Sequence, residues 1–227
     1  MKRLHPRPKS CPHAAVTSLT YTLSGESRTW DLTDVGDPAD RGAMVFDTRT
    51  YPFLPRDNGS RVYRIPAVVT ADDGSIIAAC DKRYDSYKDI GSDHVIDIVV
   101  RRSTDGGKTW GDPVTVAKGD ATNDATCGYG DPSLTKGKDG KLYCLFGAGN
   151  TGFFYGLNRI CMVTSTDNGA TWSAIQTIAP STESSAGITF TDHASLYDYF
   201  VTSGKGLYTH DGVLMFLLDA QTASEGS

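Results

Sequence analysis

The chain has 227 residues, of which 39% are hydrophobic and 22% are charged, an ordinary balance for a globular protein. Its net charge of −5 argues against a nucleic-acid partner, and no run of about eighteen apolar residues is present to form a transmembrane helix. Twenty-four Gly and eleven Tyr, against four Met, favour an all-β protein with many turns.

The five Cys residues form no CxxC pair and have no His at the spacing of zinc ligands. Cys80, Cys144 and Cys161 lie within apolar runs typical of strands. We therefore expect these three to be buried as small hydrophobic side chains, and we expect no metal site.

The N-terminal part differs in composition from the rest of the chain. Residues 1–15 are rich in Pro and basic groups and predict disorder, and they lack the apolar stretch of a signal peptide. Residues 16–33 alternate in polarity and predict one or two strands, either from an upstream β domain or from an edge of the main body. Residues 34–43 are typical of a linker. We accordingly divide the chain into an extension, 1–45, and a main domain, 46–227.

From about residue 60 onward, short apolar runs alternate with turn residues. The clearest runs predict strands at 62–69, 75–80, 95–100, 141–146, 159–163, 205–208 and 213–218. Asp-Gly pairs at 73–74, 139–140 and 211–212 predict tight hairpin turns between successive strands. No segment has a helical period over three turns, so we predict an all-β meander.

One pattern of eight residues occurs twice, at 103–110 and at 165–172, 62 positions apart. Each copy has Ser and Asp, which can bond backbone amides and close a loop, and each ends in a Trp that gains from burial. Gly106 and Gly169 supply a positive φ at no steric cost. Repetition at this period in a strand-rich chain predicts propeller blades, and the loops themselves are structural. Residues 61–227 hold about 2.7 such blades, whereas a closed propeller has about four to eight.

Arg64 stands between apolar residues in Tyr63-Arg64-Ile65-Pro66. A guanidinium in such a setting needs an anionic partner, because an unpaired charge out of water is very costly. Two interpretations are open: an internal ion pair with a nearby Asp, or bidentate capture of a substrate carboxylate.

Taken together, the Tyr-Arg-Ile-Pro motif and the two Asp-containing loops resemble the bacterial sialidases over roughly residues 48–217. The resemblance implies a six-bladed β-propeller, of which about half the blades are present, and a retaining exo-α-sialidase that releases terminal sialic acid from glycoproteins, glycolipids and oligosaccharides. It also implies that Arg64 is one of three arginines that bind the sialic acid carboxylate. No cofactor is implied.

The resemblance assigns three further residues. Asp89, 25 positions after Arg64, takes the place of the acid/base catalyst, with Asp85 and Asp93 as competitors if the loop length differs. Arg83, in Asp-x-Arg-Tyr, resembles the arginine beside the 4-hydroxyl of the substrate. Asp131 resembles the aspartate that lines the pocket near the 4-hydroxyl and acetamido groups, and its alternative is an Asx turn before a strand.

The family's Tyr nucleophile, its activating Glu and two clamp arginines lie in later blades, so this chain is expected to be inactive alone and to need the remaining blades of a longer parent. A Tyr nucleophile avoids placing one carboxylate against another, and Asp89 would protonate the leaving oxygen. The expected partners are sialylated glycans, with neither nucleic acid nor membrane insertion, and the expected location is secreted, periplasmic or cell-surface. The alternatives are a glycan-binding propeller without activity and a structural repeat protein.

Overall fold

A computed structural model describes residues 18–23, 26–31, 50–91, 94–149, 159–179 and 196–222. The predicted disordered segment 1–15 and the predicted linker 34–43 lie outside these ranges. The chain divides into two compact units, residues 1–49 and 50–227. Strands occupy most of the described chain and two short 3-10 helices lie at Asp57–Gly59 and Asp124–Thr126, which confirms the prediction of an all-β protein.

The first unit contains one hairpin. Strands β1 (Ser18–Leu23) and β2 (Glu26–Asp31) pair antiparallel, with Leu23 opposite Glu26. The alternating segment 16–33 therefore forms two strands.

The second unit begins with two four-stranded antiparallel sheets. Their strands are, in chain order, β3 (Val62–Thr70), β4 (Ile76–Arg83), β5 (Ile96–Ser103), β6 (Val114–Ala117), β7 (Gly128–Lys136), β8 (Leu142–Gly149), β9 (Arg159–Ser165) and β10 (Gln176–Ala179). We call β3–β6 the first blade and β7–β10 the second blade. The two blades meet through one parallel pair, Ile96 with Gly128, and β3 contacts β7.

Two further hairpins follow the second blade. Strand β11 (Leu196–Val201) pairs with β14 (Leu218–Thr222), and β12 (Leu207–Tyr208) pairs with β13 (Leu214–Met215). Gly204, between β11 and β12, exchanges backbone hydrogen bonds with the bulged part of β7 through Pro132 O and Leu134 N. The chain from 196 to 222 thus forms two long, interrupted strands, which begin a third blade and which together we call the third hairpin.

The three predicted Asp-Gly turns are confirmed. Gly74, Gly140 and Gly212 have φ of 83°, 75° and 93°, and each amide donates to the carbonyl three residues earlier. Only glycine adopts this left-handed conformation without strain.

The two Asp-containing loops have the same hydrogen bonds. In the first, Ser103 Oγ donates to Asp105 Oδ1 at 2.8 Å and accepts from Gly107 N at 2.8 Å. In the second, Ser165 Oγ donates to Asp167 at 2.8 Å and accepts from the Gly169 amide at 2.9 Å. Gly106 and Gly169 have positive φ as predicted, and so do Gly107 and Asn168. These loops are turns that their own Ser and Asp side chains close.

The core lies between the blades, because strands of the second blade are apolar on both faces. Cys144, Phe146, Cys161 and Val163 face the first blade and pack with Ile77, Ile98 and Val100. Their neighbours in the chain face the other way, where Leu145, Ile160 and Met162 pack with Val201 and Phe216. Burial of Cys80, Cys144 and Cys161 confirms their prediction as core residues. Among the described residues, no helix has the length and apolar character needed to cross a bilayer.

Candidate functional site

Strands β3 and β7 are the first strands of the two blades, and each has a β-bulge at the equivalent place. In β3 the pairing register shifts between Arg64 and Ala67, and in β7 it shifts between Gly130 and Ser133. The bulged residues Ile65 and Asp131 have φ of 56° and 60°, a region that costs a non-glycine residue of order 1–3 kcal/mol. A proline follows each of them and has no N–H to lose from the ladder. Strain at equivalent positions indicates that the bulges aim particular side chains.

Register relates the two blades residue by residue. Arg64 pairs with Asp81 in the first blade, and the equivalent pair in the second blade is Gly130 with Gly147. Val62 pairs with Arg83, and its counterpart Gly128 pairs with Gly149. The first blade therefore carries charged side chains where the second carries none.

Arg83 is the centre of the charged network. Its side chain is 2% exposed, and Nη2 donates to Asp81 Oδ2 and to Asp89 Oδ1, each at 2.7 Å. Burial opposes the charge, but the ion pairs with Asp81 and then Asp89 hold the pKa of Arg83 above its usual value. Asp81 is equally buried, and its Oδ1 accepts the backbone N–H of Asp131 at 3.1 Å. One buried pair thus links the first blade to the bulge of the second.

Of the two interpretations left open for Arg64, the internal ion pair is present, and capture of a substrate carboxylate stays a prediction. Nη1 donates to Asp89 Oδ1 at 3.3 Å, so an internal ion pair exists, and to Tyr87 O at 2.8 Å. The side chain is nevertheless 40% exposed and lines a cavity. No hydrogen bond from Nη2 to the described residues is present, so the N–H groups of this nitrogen are available to donate to a ligand.

The loop that follows β4 is held from several sides. Tyr87 O accepts from Arg83 Nη1 at 2.7 Å as well as from Arg64, and Ser86 Oγ accepts from Lys88 N at 3.0 Å. The Tyr84 hydroxyl donates to the buried Asp97. The loop therefore presents Asp89, whose side chain is 65% exposed, in a fixed position.

A cavity of about 270 Å³ opens at this point. It is lined by Arg64, Ile65, Asp89, Ile90, Asp131, Gly147 and Phe200. The first blade, the second blade and the third hairpin therefore each contribute to this cavity, which has charged and apolar walls. Its volume is close to the lower end of the usual range for ligand pockets.

The apolar wall depends on glycine in the second blade. A Cβ on Gly130 would lie 3.0 Å from Ile90 Cδ1, and a Cβ on Gly147 would lie 3.6 Å from the same atom. Ile90 fits against this strand pair because neither position has a side chain. The glycines therefore give the cavity its floor.

Two carboxyl groups at the site have raised pKa values. Burial, followed by the nearby Asp89 charge, raises the pKa of Asp131 to about 6, although Arg83 and Arg64 oppose the shift. Burial, followed by the Asp131 charge, raises the pKa of Asp81 against the effect of Arg83. Perturbed carboxyl groups beside a cavity are typical of functional sites.

All four residues assigned from the resemblance come together here. Arg64, Asp89 and Asp131 line the cavity, and the buried Arg83 donates a hydrogen bond to Asp89. Asp85 is directed elsewhere, 3.4 Å from His94 Nδ1, and Asp93 lies outside the described residues. Asp131 lies within β7, so the alternative of a turn before a strand is wrong.

Sequence reasoning missed Asp81, Ile90, Gly130 and Phe200. One signal was present: Tyr-x-x-Pro occurs at 63–66 and again at 129–132. Aligning these copies would have predicted β7 and placed its glycines opposite the charged residues of the first blade. Within the described ranges, no three His, Cys, Asp or Glu side chains are arranged to bind a metal ion.

The chain is similar to several known proteins. The sialidase of Bacteroides fragilis (strain YCH46) is 30% identical over 177 residues, which are 70% of this chain and 30% of that protein. The sialidase of Micromonospora viridifaciens is 32% identical over 123 residues, 49% of this chain and 18% of that protein. The chain thus spans less than a third of the length of these two relatives.

Solved structures show the same fold. The Hadza microbial sialidase Hz136 matches with a TM-score of 0.62 and 26% identity over 74% of this chain and 34% of that one. A leech intramolecular trans-sialidase matches with a TM-score of 0.58 and 16% identity over 88% of this chain and 46% of that one. The predicted sialidase-type β-propeller fold is confirmed. The family described as "BNR repeat-like domain" matches residues 65–227, which are well over half of the chain. The chain therefore belongs to the BNR repeat-like domain family.

Proposed function

We propose that this chain is part of the catalytic propeller of an exo-α-sialidase, which hydrolyses terminal α-linked sialic acids with retention. The observation that carries the proposal is the convergence of Arg64, Asp89 and Asp131 on one cavity. The similarity to sialidases supports it.

Each residue has a role that suits an anionic sugar. Arg64, which lines the cavity and is 40% exposed, would bind the sialic acid carboxylate. Asp89 would protonate the leaving oxygen and then act as base for water. Arg83, which is buried and does not line the cavity, would keep the Asp89 carboxyl in place on the 4-hydroxyl side, and Asp131 would line the pocket. The nucleophile of such a mechanism is a tyrosine, because a carboxylate would repel the substrate's own charge.

We further propose that additional blades of a longer parent chain complete the propeller. The matched relatives are more than three times as long as the stretch that this chain covers. The third hairpin also exposes apolar side chains: Leu207, Met215 and Leu217 are 56%, 50% and 71% exposed. The substrates would be sialylated glycoproteins, glycolipids and oligosaccharides, which lie outside cells, so we propose a secreted, periplasmic or cell-surface location. The 227-residue chain by itself should show no turnover.

The test is hydrolysis by the complete gene product and by its Asp89→Ala variant. A general acid contributes roughly 10²–10⁴-fold. We expect a loss of that size with an alkyl-linked sialoside, and a smaller loss with an aryl sialoside, whose leaving group needs less protonation. Asp85→Ala is the matched control, because it removes an exposed carboxyl from the same loop but outside the cavity.

Full activity of Asp89→Ala would contradict the assignment, and a greater loss in Asp85→Ala would transfer the role to Asp85. Binding of sialosides without hydrolysis by the unsubstituted protein would favour the glycan-binding propeller instead.

A further inference from the structure

We infer that the exposed ring of Tyr87 forms the subsite for the sugar on the leaving side of the scissile bond. The inference rests on the proposed function and names a specificity residue for it. Tyr87 precedes Asp89 by two positions and does not line the cavity.

The backbone of Tyr87 is fixed to the site. Its carbonyl accepts from Arg64 Nη1 at 2.8 Å and from Arg83 Nη1 at 2.7 Å, and the same two guanidinium groups contact Asp89. The ring and the Asp89 carboxyl therefore belong to one rigid segment. A group held in this way needs little further ordering when a ligand binds.

The ring is supported on one face. The Arg61 guanidinium carbon lies 4.6 Å from the ring centroid, and Arg61 Nη1 donates to Asp85 O at 3.2 Å. A cation over an aromatic face at this distance is attracted to it. Tyr87 nevertheless remains 58% exposed, so the opposite face is available to a ligand.

The assignment of the subsite depends on the direction of proton transfer from Asp89. Ile90 and the Asp89 carboxyl line the cavity, whereas Tyr87 lies outside it on the same loop. If the cavity binds the sialic acid, the oxygen that Asp89 protonates marks the cavity mouth, and the next sugar lies beyond it. We assign the Tyr87 ring to this second sugar, because the ring is exposed and its backbone is fixed by the same two arginines as Asp89.

The chemistry of the surface selects the ligand class. An aromatic face packs against the apolar C–H face of a pyranose ring, and the positive charge of Arg61 is already engaged by the other side of the ring. We therefore assign a neutral hexose to this subsite.

The experiment compares two substrates with alkyl leaving groups in the complete gene product: a sialylated disaccharide and methyl α-sialoside. Only the first places a sugar on Tyr87. For Tyr87→Ala we expect kcat/KM on the disaccharide substrate to fall about three- to tenfold, mainly through KM, and kcat/KM on the methyl sialoside to change less than about twofold. Tyr87→Phe should retain the preference, since it keeps the ring. Tyr51→Ala, which removes a tyrosine that is 57% exposed but lies off this loop, is the matched control.

Equal loss on both substrates, or no loss on either, would overturn the subsite while leaving the proposed function intact. An equal effect of Tyr51→Ala would also overturn it. Absence of hydrolysis of both substrates by the unsubstituted protein would instead overturn the proposed function, and the subsite with it.

Discussion

In the first blade, Arg64, Asp81 and Arg83 occupy positions that Gly130, Gly147 and Gly149 occupy in the second. The scaffolds around these positions agree in detail: each blade has a bulge with positive φ before a proline, an Asp-Gly turn, and a Ser–Asp loop. The two copies of the repeat therefore differ mainly at the positions that border the cavity. The first blade supplies charged side chains, the second supplies glycines that leave room for a cavity, and residues of both blades line that cavity.

The buried pair in the first blade should give the largest effect on stability. Asp81→Asn leaves the buried Arg83 with the exposed Asp89 as its carboxylate partner, and we expect a loss of about 3–5 kcal/mol in the free energy of unfolding, measured by denaturant titration. Replacing both residues, with Asp81→Leu and Arg83→Met, should cost less than Asp81→Asn alone, because the buried guanidinium is removed together with its buried partner. A double variant that is less stable than the single one would contradict this account.

The bulge residue of the second blade should give a pH-dependent effect. The pKa of Asp131 is about 6 in the folded chain and ordinarily 3.8, so the folded state retains a proton that the unfolded chain has released. Its contribution to stability is therefore present below pH 3.8 and is lost as the pH rises through about 6.

Asp131→Asn has no carboxyl group to ionise, so the loss of stability with rising pH is removed. Asparagine also tolerates the left-handed backbone conformation at this position. Relative to the parent, we expect a gain of about 1–3 kcal/mol at neutral pH and almost none near pH 4, by denaturant titration at both values. A difference that does not vary with pH would disprove the assignment of the raised pKa.

The shared loops should respond alike in the two blades. The hydroxyls of Ser103 and Ser165 are buried and make the same two hydrogen bonds each. Ser103→Ala and Ser165→Ala should therefore each cost about 1–3 kcal/mol, measured in parallel by thermal unfolding. A large inequality would show that the loops are not equivalent supports.

The floor of the cavity should give the smallest effect on stability. Gly130→Ala adds a Cβ 3.0 Å from the end of the Ile90 side chain, which can shift, so we expect a cost below about 1 kcal/mol. Sialoside affinity should fall by more than stability does, because Ile90 would move into the cavity. Binding measured by calorimetry, with Gly111→Ala as a control whose Cβ would contact Arg102 O instead of Ile90, separates the two effects. Unchanged affinity would show that the floor does not shape the site.

Much of the fold was predictable from local chemistry. The Asp-Gly turns and Ser–Asp loops form their contacts within a few residues, so their pattern in the sequence is sufficient to identify them. Strand β7 was missed because Gly128, Gly130 and Pro132 interrupt its apolar pattern, although Leu134 and its neighbours are fully in the core. Those interruptions reflect the cavity and the bulge, which depend on the neighbouring blade.

The candidate site was predictable only in part. Arg64, Arg83, Asp89 and Asp131 were assigned through the resemblance to sialidases, and Asp85 and Asp93 stayed competitors of Asp89 if the loop length differed. The structure separates Asp89 from Asp85, since Asp89 contacts both arginines whereas Asp85 turns to His94.

The repeat, the turns and the all-β class were all predictable, because each depends on residues that are close in the chain. Three features depend on tertiary contacts. Distant charged side chains form ion pairs, Arg64 is both paired with Asp89 and exposed to a cavity, and Ile90 of the first blade packs against glycines of the second. The physical reason is separation: Asp81 binds the amide of Asp131 across fifty residues, and local propensity carries no information about such a contact.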